Sequence, residues 1–161
     1  TDERVLAERP VSPAFLFAAL LWHEVLAAWK ARQARGERAL AALEGAMDEV
    51  LDTQGAKLAI TRKLTATMRE VWAMQPRFEQ RSGSRAFRLL EVPRFRMAYD
   101  FLALRAASGE VAADLEEWWR AFQSADAESR KAMLLPETGP RKRRRRRRKK
   151  GPAAAATPEA V

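Results

Sequence analysis

The sequence predicts an all-α protein, a compact bundle of about five to six helices followed by a disordered basic tail. Apolar residues recur at helical spacing as far as Phe122, and no stretch alternates apolar and polar residues as a strand would. Gly and Pro interrupt this periodicity at intervals typical of helix ends. Beyond Pro136 the periodicity stops, and a run of ten basic residues begins at residue 141. We therefore predict a helical domain over residues 1–135 and a disordered tail over residues 136–161.

The first helix is expected from residue 13 to about residue 34. Ser12 suits the N-cap, and Pro13 suits the first helical position. The apolar stripe is wide, which predicts a well-buried helix with His23 partly buried at the boundary of the core. This stripe consists of Phe15, Ala19, Trp22, Leu26 and Trp29, with Leu16, Leu20, His23 and Ala27 beside it.

A second helix is expected over about residues 37–53 and a third over about residues 62–81. Apolar side chains at helical spacing mark both of them. The third contains Pro76, which lacks a backbone N–H and clashes with the carbonyl of Trp72, so we expect a kink or break near residues 72–76. The apolar positions are Leu40, Leu43, Met47 and Val50 in the second helix, and Leu64, Met68, Val71, Gln75 and Phe78 in the third.

Three further helices complete the predicted bundle. Residues 82–84 form a turn before a short helix over residues 85–91, and Pro93 starts the next helix, which carries the stripe Phe95, Ala98, Tyr99, Leu102 and Ala106. A last amphipathic helix contains Trp118 and Trp119. One of these two indoles is expected to face less inward than the other, which makes it the aromatic candidate for stacking on a base.

Positive charge is concentrated in two parts of the chain. The run 141–150 holds ten of the thirty basic residues, so residues 1–135 carry 20 basic and 19 acidic side chains and the remainder carries a net charge of +8. Within the helical domain, residues 62–105 hold ten basic and four acidic side chains, a net charge of +6. An apolar stripe backed by this much positive charge predicts a helical unit with a face for a polyanion.

Composition also limits the chemistry that the chain can perform. There is no cysteine, so disulfides and thiolate metal sites are excluded and a reducing compartment, the cytoplasm, is compatible. The single histidine, His23, leaves little for base catalysis. No apolar run approaches the length of a membrane span, so we expect no transmembrane segment. The sequence opens on Thr1, from which we expect a piece of a longer polypeptide.

Several long stretches resemble a known family. They are ERPVSPAFLFAALLW (8–22), MDEVLDTQGAKLAI (47–60), RLLEVPRFRMAYDFLALRA (88–106) and EEWWRAFQ (116–123), followed by the arginine-rich run. Together they resemble the C-terminal region of the bacterial poly(A) polymerase I family, and the resemblance covers nearly the whole chain to residue 150. Pro76 departs from the family pattern, in which we expect an aliphatic residue.

The resemblance implies an RNA-handling region of a class II nucleotidyltransferase. In that family a catalytic head, joined to a helical neck, adds AMP from ATP to the 3′ end of RNA with Mg²⁺. The head carries a Gly-Ser motif after a strand and a D-x-D metal pair. No D-x-D occurs here, and Ser82-Gly83-Ser84 lies between predicted helices. We therefore expect no catalytic residue, metal ligand or cofactor site in these residues, ATP and Mg²⁺ in the whole enzyme, and the head and neck of the same polypeptide as partners.

The candidate RNA-binding residues are basic side chains, because guanidinium and ammonium groups bind phosphates without reading sequence. In the helical domain they are Arg62, Lys63, Arg69, Arg77, Arg81, Arg85, Arg88, Arg94 and Arg96. In the tail they are Arg141, Lys142, Arg143, Arg144, Arg145, Arg146, Arg147, Arg148, Lys149 and Lys150. Arg85, Arg88, Arg94 and Arg96 flank one predicted turn and are the strongest candidates in the folded part.

Other interpretations of the same charge remain open at this point. The four arginines around the turn would equally suit a solvated surface with local ion pairs, such as one between Arg88 and Glu91. The chain could be a helical adaptor that docks on ribosomes or other RNA–protein assemblies through its tail. The tail could also bind anionic membrane surfaces, since charge alone does not distinguish RNA from anionic lipid.

Overall fold

The computed structural model describes residues 12–137, and these residues form seven α-helices, one 3₁₀ helix and no strand. The all-α prediction is confirmed. Residues 136 and 137 of the predicted tail are described and belong to no helix, and the rest of the predicted tail falls outside this range. The helices are α1 (Pro13–Ala34), α2 (Ala39–Gln54), α3 (Arg62–Met74), the 3₁₀ helix (Pro76–Glu79), α4 (Gly83–Glu91), α5 (Phe95–Ala107), α6 (Ala113–Ser124) and α7 (Ala127–Met133).

The break predicted at Pro76 is present. Helix α3 ends at Met74, and the chain continues from Pro76 as the 3₁₀ helix. At the other end of α3, the hydroxyl of Thr61 accepts a hydrogen bond from the Leu64 amide. Ser12 occupies the N-cap position of α1 as predicted, but its side chain makes no capping hydrogen bond, so Pro13 is what favours the helix start.

The helices pack around two apolar clusters. The first lies between α1, α2 and the middle and second half of α3, and Phe101 of α5 completes it. The second lies between the 3₁₀ helix, α4, α5 and α6. Helices α3 and α5 contribute to both clusters, which explains why the predicted stripes of the third and fifth helices are so strongly apolar. The largest buried side chains are Trp72 and Phe101 in the first cluster and Trp119, Phe78 and Phe122 in the second.

Trp119 is the centre of the second cluster. Its side chain is fully buried, and its indole N–H donates to the Phe78 carbonyl at 2.8 Å. Its ring lies 5.3 Å from that of Phe78 and 5.9 Å from that of Phe95. Trp118 is only half-buried. The predicted difference between the two adjacent indoles is therefore confirmed.

A polar bridge of Gln75, Arg105 and Glu110 lies between the two clusters. The Arg105 guanidinium donates to the Gln75 side-chain carbonyl at 3.1 Å and to the Glu110 carboxylate at 3.2 Å. The same carboxylate accepts the indole N–H of Trp22 at 2.8 Å, and Arg105 stacks over the Trp22 ring at 4.9 Å. Since Gln75 also donates to the Ala98 carbonyl, the bridge connects α1, α3 and α5.

Helix α1 is less buried than the sequence predicted. Its core face consists of Ala14, Phe15, Ala18, Leu21, Trp22 and Val25. The neighbouring positions Leu16, Leu20 and Ala27 are exposed. His23 is also exposed, so its predicted partial burial is wrong, because it lies on this outward face.

The expectation of no stretch long and apolar enough to span a membrane requires correction for α1. By length and composition alone this helix could cross a membrane. Its inner face forms part of the first apolar cluster. Core helices of water-soluble proteins can be equally long and apolar, so length and composition are weak evidence for a membrane span.

Helix α7 was missed by the sequence prediction. It has seven residues, none of them buried. The Asp126 carboxylate caps it by accepting the Ser129 amide at 2.7 Å, and this bond lowers the pKa of Asp126. Arg130 fixes α7 to α6 by donating to the carbonyls of Phe122 and Gln123, both at 2.8 Å. An Asp N-cap before Glu128 and two basic residues is the signal that could have identified this helix.

Candidate nucleic-acid interface

Arg85 and Arg88 form an exposed pair on α4, which we call the α4 arginine pair. The nine residues of α4 are amphipathic, with Ala86 and Leu89 buried in the second cluster. Residues three apart lie on the same face of a helix, so the two exposed guanidinium groups are neighbours. Neither forms an ion pair with any residue that the structure describes, including Glu91. Both are therefore available to an external anion.

Arg94 and Arg96, the other two arginines around the predicted turn, already have partners. Arg94 donates to the Glu70 carboxylate at 3.1 Å. Arg96 lies 3.6 Å from the Asp100 carboxylate and donates to the side chain of Gln123 at 3.3 Å. Ion pairs at an exposed surface contribute at most about 1 kcal/mol, so a phosphate could displace them at small cost. Of the four arginines, Arg94 and Arg96 are thus ion-paired, whereas Arg85 and Arg88 have no carboxylate partner among the described residues.

Two basic residues stand at the beginning of α3, where they are electrostatically unfavourable. Arg62 and Lys63 are exposed in its first turn, and the helix dipole disfavours cations there. Arg77 is exposed in the 3₁₀ helix. By contrast, Arg69 pairs with Asp48, and Arg81 is half-buried with the Asp114 carboxylate 3.9 Å away.

The aromatic side chains serve the interior of the domain. All five indole N–H groups donate to acceptors within it, and these acceptors are Glu110 for Trp22, Ala39 for Trp29, Ala18 for Trp72, Met133 for Trp118 and Phe78 for Trp119. Trp118 also stacks on Phe122, with the ring centroids 4.6 Å apart. One face of the aromatic candidate for base stacking is therefore occupied, and cations remain as the main candidate contacts.

Tyr99 supports the core beside this surface. Its hydroxyl donates to the Glu116 carboxylate at 2.6 Å. Burial and this hydrogen bond raise the pKa of Tyr99 to about 12, so the hydroxyl remains protonated and acts as a donor. The Arg96 guanidinium lies 5.4 Å from the centre of its ring. Tyr99 thereby links α5 to α6, as its position in the predicted stripe suggested.

The chain returns from α7 to the start of α4. The Leu135 amide donates to the Arg81 carbonyl at 3.0 Å. Glu137 reaches Gly83, the first residue of α4, so closely that a Cβ added there would lie 2.8 Å from the Glu137 carboxylate. Gly83 also has φ +59°, a conformation that favours glycine. The Gly-Ser of residues 82–84 thus lies between helices as predicted, but the helix begins at Gly83, two residues before the predicted start at Arg85.

Acidic side chains do not gather into a metal site in residues 12–137. No group of three or more His, Asp or Glu side chains there is placed to hold a metal ion. Asp48 pairs with Arg69, and Asp52, one turn later on α2, is exposed. The basic run 141–150 lies outside the described residues, so its contacts remain a prediction.

The fold and the surface place the protein in one class, that of all-α, arginine-rich domains followed by a basic run. The family model for the polymerase A arginine-rich C-terminus matches residues 35–151, and the chain belongs to this family.

Named relatives agree with this assignment. The chain is 43% identical over 150 residues to poly(A) polymerase I of Escherichia coli O6:H1, a match that covers 89% of this chain and 32% of that protein. It is 40% identical over 149 residues to poly(A) polymerase I of Salmonella typhi, with the same coverages. It is 36% identical over 138 residues to that of Haemophilus influenzae, covering 83% of this chain and 30% of the relative.

The match is confined to one region of the relatives. The chain spans about a third of the length of the curated relatives it matches, and the family model describes a C-terminus. The resemblance noted in the sequence is confirmed. The matched residues correspond to the C-terminal region of poly(A) polymerase I, and this chain lacks the catalytic head.

Proposed function

We propose that this chain is an RNA-binding module of a bacterial poly(A) polymerase. The module holds the RNA in the cytoplasm while the head of the same polypeptide adds AMP from ATP to the RNA 3′ end, with Mg²⁺. The observation that carries this proposal is the α4 arginine pair, two exposed guanidinium groups without a carboxylate partner among the described residues, in a domain of the arginine-rich polymerase family.

The charge arrangement favours phosphate contacts without sequence readout. Guanidinium groups match the geometry of a phosphate and bind it bidentately. Because the five indole N–H groups donate inside the domain and Trp118 stacks on Phe122, the tryptophans offer little for contacts to bases. Binding of this kind is sequence-tolerant and weakens with salt as counterions are released. A polymerase that extends many different RNA ends requires this tolerance.

Replacing Arg85 and Arg88 together by Ala should weaken RNA binding without unfolding the domain. Each lost contact to a single strand should reduce the slope of log K against log salt by about 0.7, so the pair should reduce it by about 1.4. The melting temperature should stay close to that of the parent chain, since both side chains are exposed. Fluorescence anisotropy with a labelled single-stranded RNA at several salt concentrations measures the change.

The matched control is the Arg35→Ala/Arg38→Ala variant. It removes the same charge from two other exposed positions, in the turn between α1 and α2, whereas α4 packs on α5 and the 3₁₀ helix. The proposal requires a clearly smaller effect in this control. Equal losses in both variants would show that net charge alone governs binding, and a preference for anionic vesicles over RNA in competition would favour a membrane-binding role.

A further inference from the structure

We infer that the groove between the end of α2 and the beginning of α3, which we call the α2–α3 groove, is a subsite for one nucleotide of the RNA. The inference rests on the proposed function and adds to it a contact with the RNA that is distinct from the α4 arginine pair. The groove is lined by α2, α3 and the turn between them, whereas α4 packs on the 3₁₀ helix and α5. The two contacts therefore lie on separate parts of the surface.

The groove has a volume of about 340 Å³, at the lower end of the range of sites for small ligands. Its apolar wall contains Leu51, which is buried, and Ile60, which packs against the first cluster. The α3 side is formed by Arg62, Thr65 and Arg69, which share one face of the helix because they are three and four residues apart. The groove thus combines an apolar wall with two guanidinium groups.

The charges at the groove are the reverse of those that the two helix dipoles favour. Arg62 and Lys63 lie in the first turn of α3, which has no acid, and Asp52 lies in the last turn of α2, which has no basic residue. Each of these placements costs stability. Neither Arg62 nor Asp52 forms an ion pair within residues 12–137. Charges that weaken a fold without a compensating contact inside it are typical of functional sites.

A ribonucleotide has three groups, and the groove offers a partner for each of them. The phosphate suits the guanidinium groups of Arg62 and Arg69, and the ion pair of Arg69 is partly exposed, so a phosphate displaces it at small cost. The base suits the wall of Leu51 and Ile60, which does not read base edges and so keeps binding sequence-tolerant. The Asp52 carboxylate is an acceptor for the 2′-hydroxyl, the group by which a protein distinguishes RNA from DNA.

The first test compares Arg62→Ala with Lys63→Ala in the full chain. Both remove one cation from the first turn of α3, but only Arg62 lines the groove. Arg62→Ala should weaken the binding of a single-stranded RNA of about ten nucleotides by about tenfold, the loss of one hydrogen bond between charged groups, and Lys63→Ala should weaken it much less. Fluorescence anisotropy measures the affinities. Both variants should melt no lower than the parent chain, because the helix dipole disfavours both cations.

The second test compares RNA with DNA of the same sequence. The parent chain should bind the RNA about fivefold more tightly, the effect of one hydrogen bond to the 2′-hydroxyl, and Asp52→Asn should lose most of this preference. The matched control is Asp48→Asn, which removes the same charge one turn earlier on α2 from a residue that does not line the groove. Its preference for RNA should equal that of the parent chain.

A third variant narrows the groove without changing the charge. Ala56 is exposed in the turn and lines the groove, so Ala56→Leu should weaken RNA binding severalfold and leave the slope of log K against log salt unchanged. Ala41→Leu makes the same change at an exposed position in the first turn of α2 and should have no effect.

The outcomes separate this inference from the proposed function. Equal losses in Arg62→Ala and Lys63→Ala, the same ratio of RNA to DNA affinity in the parent and Asp52→Asn chains, or unchanged RNA binding in Ala56→Leu overturns the nucleotide subsite. Each of these results leaves RNA binding through the α4 arginine pair intact. Failure of the parent chain itself to bind the RNA overturns both.

Discussion

Replacing Trp119 by Ala should lower the free energy of unfolding by about 3–5 kcal/mol, the range for a fully buried large aromatic side chain. The substitution leaves a cavity among Phe78, Phe95 and Phe122, whose rings pack on the indole. It also removes the donor to the Phe78 carbonyl. Since the stability of a small domain is typically about 5–15 kcal/mol, this loss would be a large part of it. Urea denaturation followed by circular dichroism measures the change.

The control for this prediction is Trp29→Ala. Trp29 is also hydrogen-bonded through its indole, but it is only partly buried, at the edge of the first cluster. The loss should be distinctly smaller than for Trp119. Equal losses at the two positions would contradict the assignment of Trp119 as the centre of the second cluster.

Replacing Arg105 by Met should lower the free energy of unfolding by about 2–3 kcal/mol, between the small cost of breaking an exposed ion pair and the cost of about 3–5 kcal/mol for a fully buried one. The Arg105 and Glu110 side chains are only 12% and 21% exposed. Without the guanidinium, the Glu110 carboxylate keeps its bond from Trp22 but loses its cation, and the Gln75 carbonyl loses its donor. The same denaturation experiment reports the effect.

Arg69→Met provides the matched comparison. It breaks the pair with Asp48, whose side chains are 38% and 60% exposed, and should cost at most about 1 kcal/mol. A similar small cost for Arg105 would show that the polar bridge does not hold the two clusters together. Arg105 counts among the ten basic residues of the central stretch, yet its contacts make it an internal residue.

The sequence was sufficient for most of the fold because helical periodicity and proline placement are local. The stripe of Met68, Val71, Gln75 and Phe78 is buried as predicted, and the helix ends before Pro76. For α1, periodicity could not decide which face is buried, because the helix is apolar nearly all round. That ambiguity produced the error at His23. Helix α7 is too short to show a stripe and was detectable only from its cap at Asp126.

The candidate site was less predictable, because the state of each arginine depends on distant residues. Arg96 and Asp100 are four residues apart, so this pair could be read from helical spacing. Arg94 is paired with Glu70, which lies 24 residues earlier on another helix. No local pattern reveals that pairing, nor does one show that Arg85 and Arg88 have no ion-pair partner within residues 12–137. The sequence therefore identified the basic region, whereas only the fold shows which of its arginines form ion pairs within the described residues.

The most direct test of the account is the salt dependence of RNA affinity with and without the residues after Glu137. If about four to six cations of the run contact a single strand, they contribute about −3 to −4 to the slope of log K against log salt. The intact chain adds the contribution of the α4 arginine pair. Truncation after Glu137 should remove the larger part of the slope and leave the helical content unchanged, since no helical periodicity is present in the sequence beyond Pro136.

Replacing the run by ten lysines should preserve much of the slope, because counterion release depends on charge more than on geometry. The account predicts a steep dependence for the intact chain, a shallow one of about −1.4 for the truncated chain, and restoration by the lysine run. A truncated chain with the same affinity and the same slope as the intact chain would contradict it.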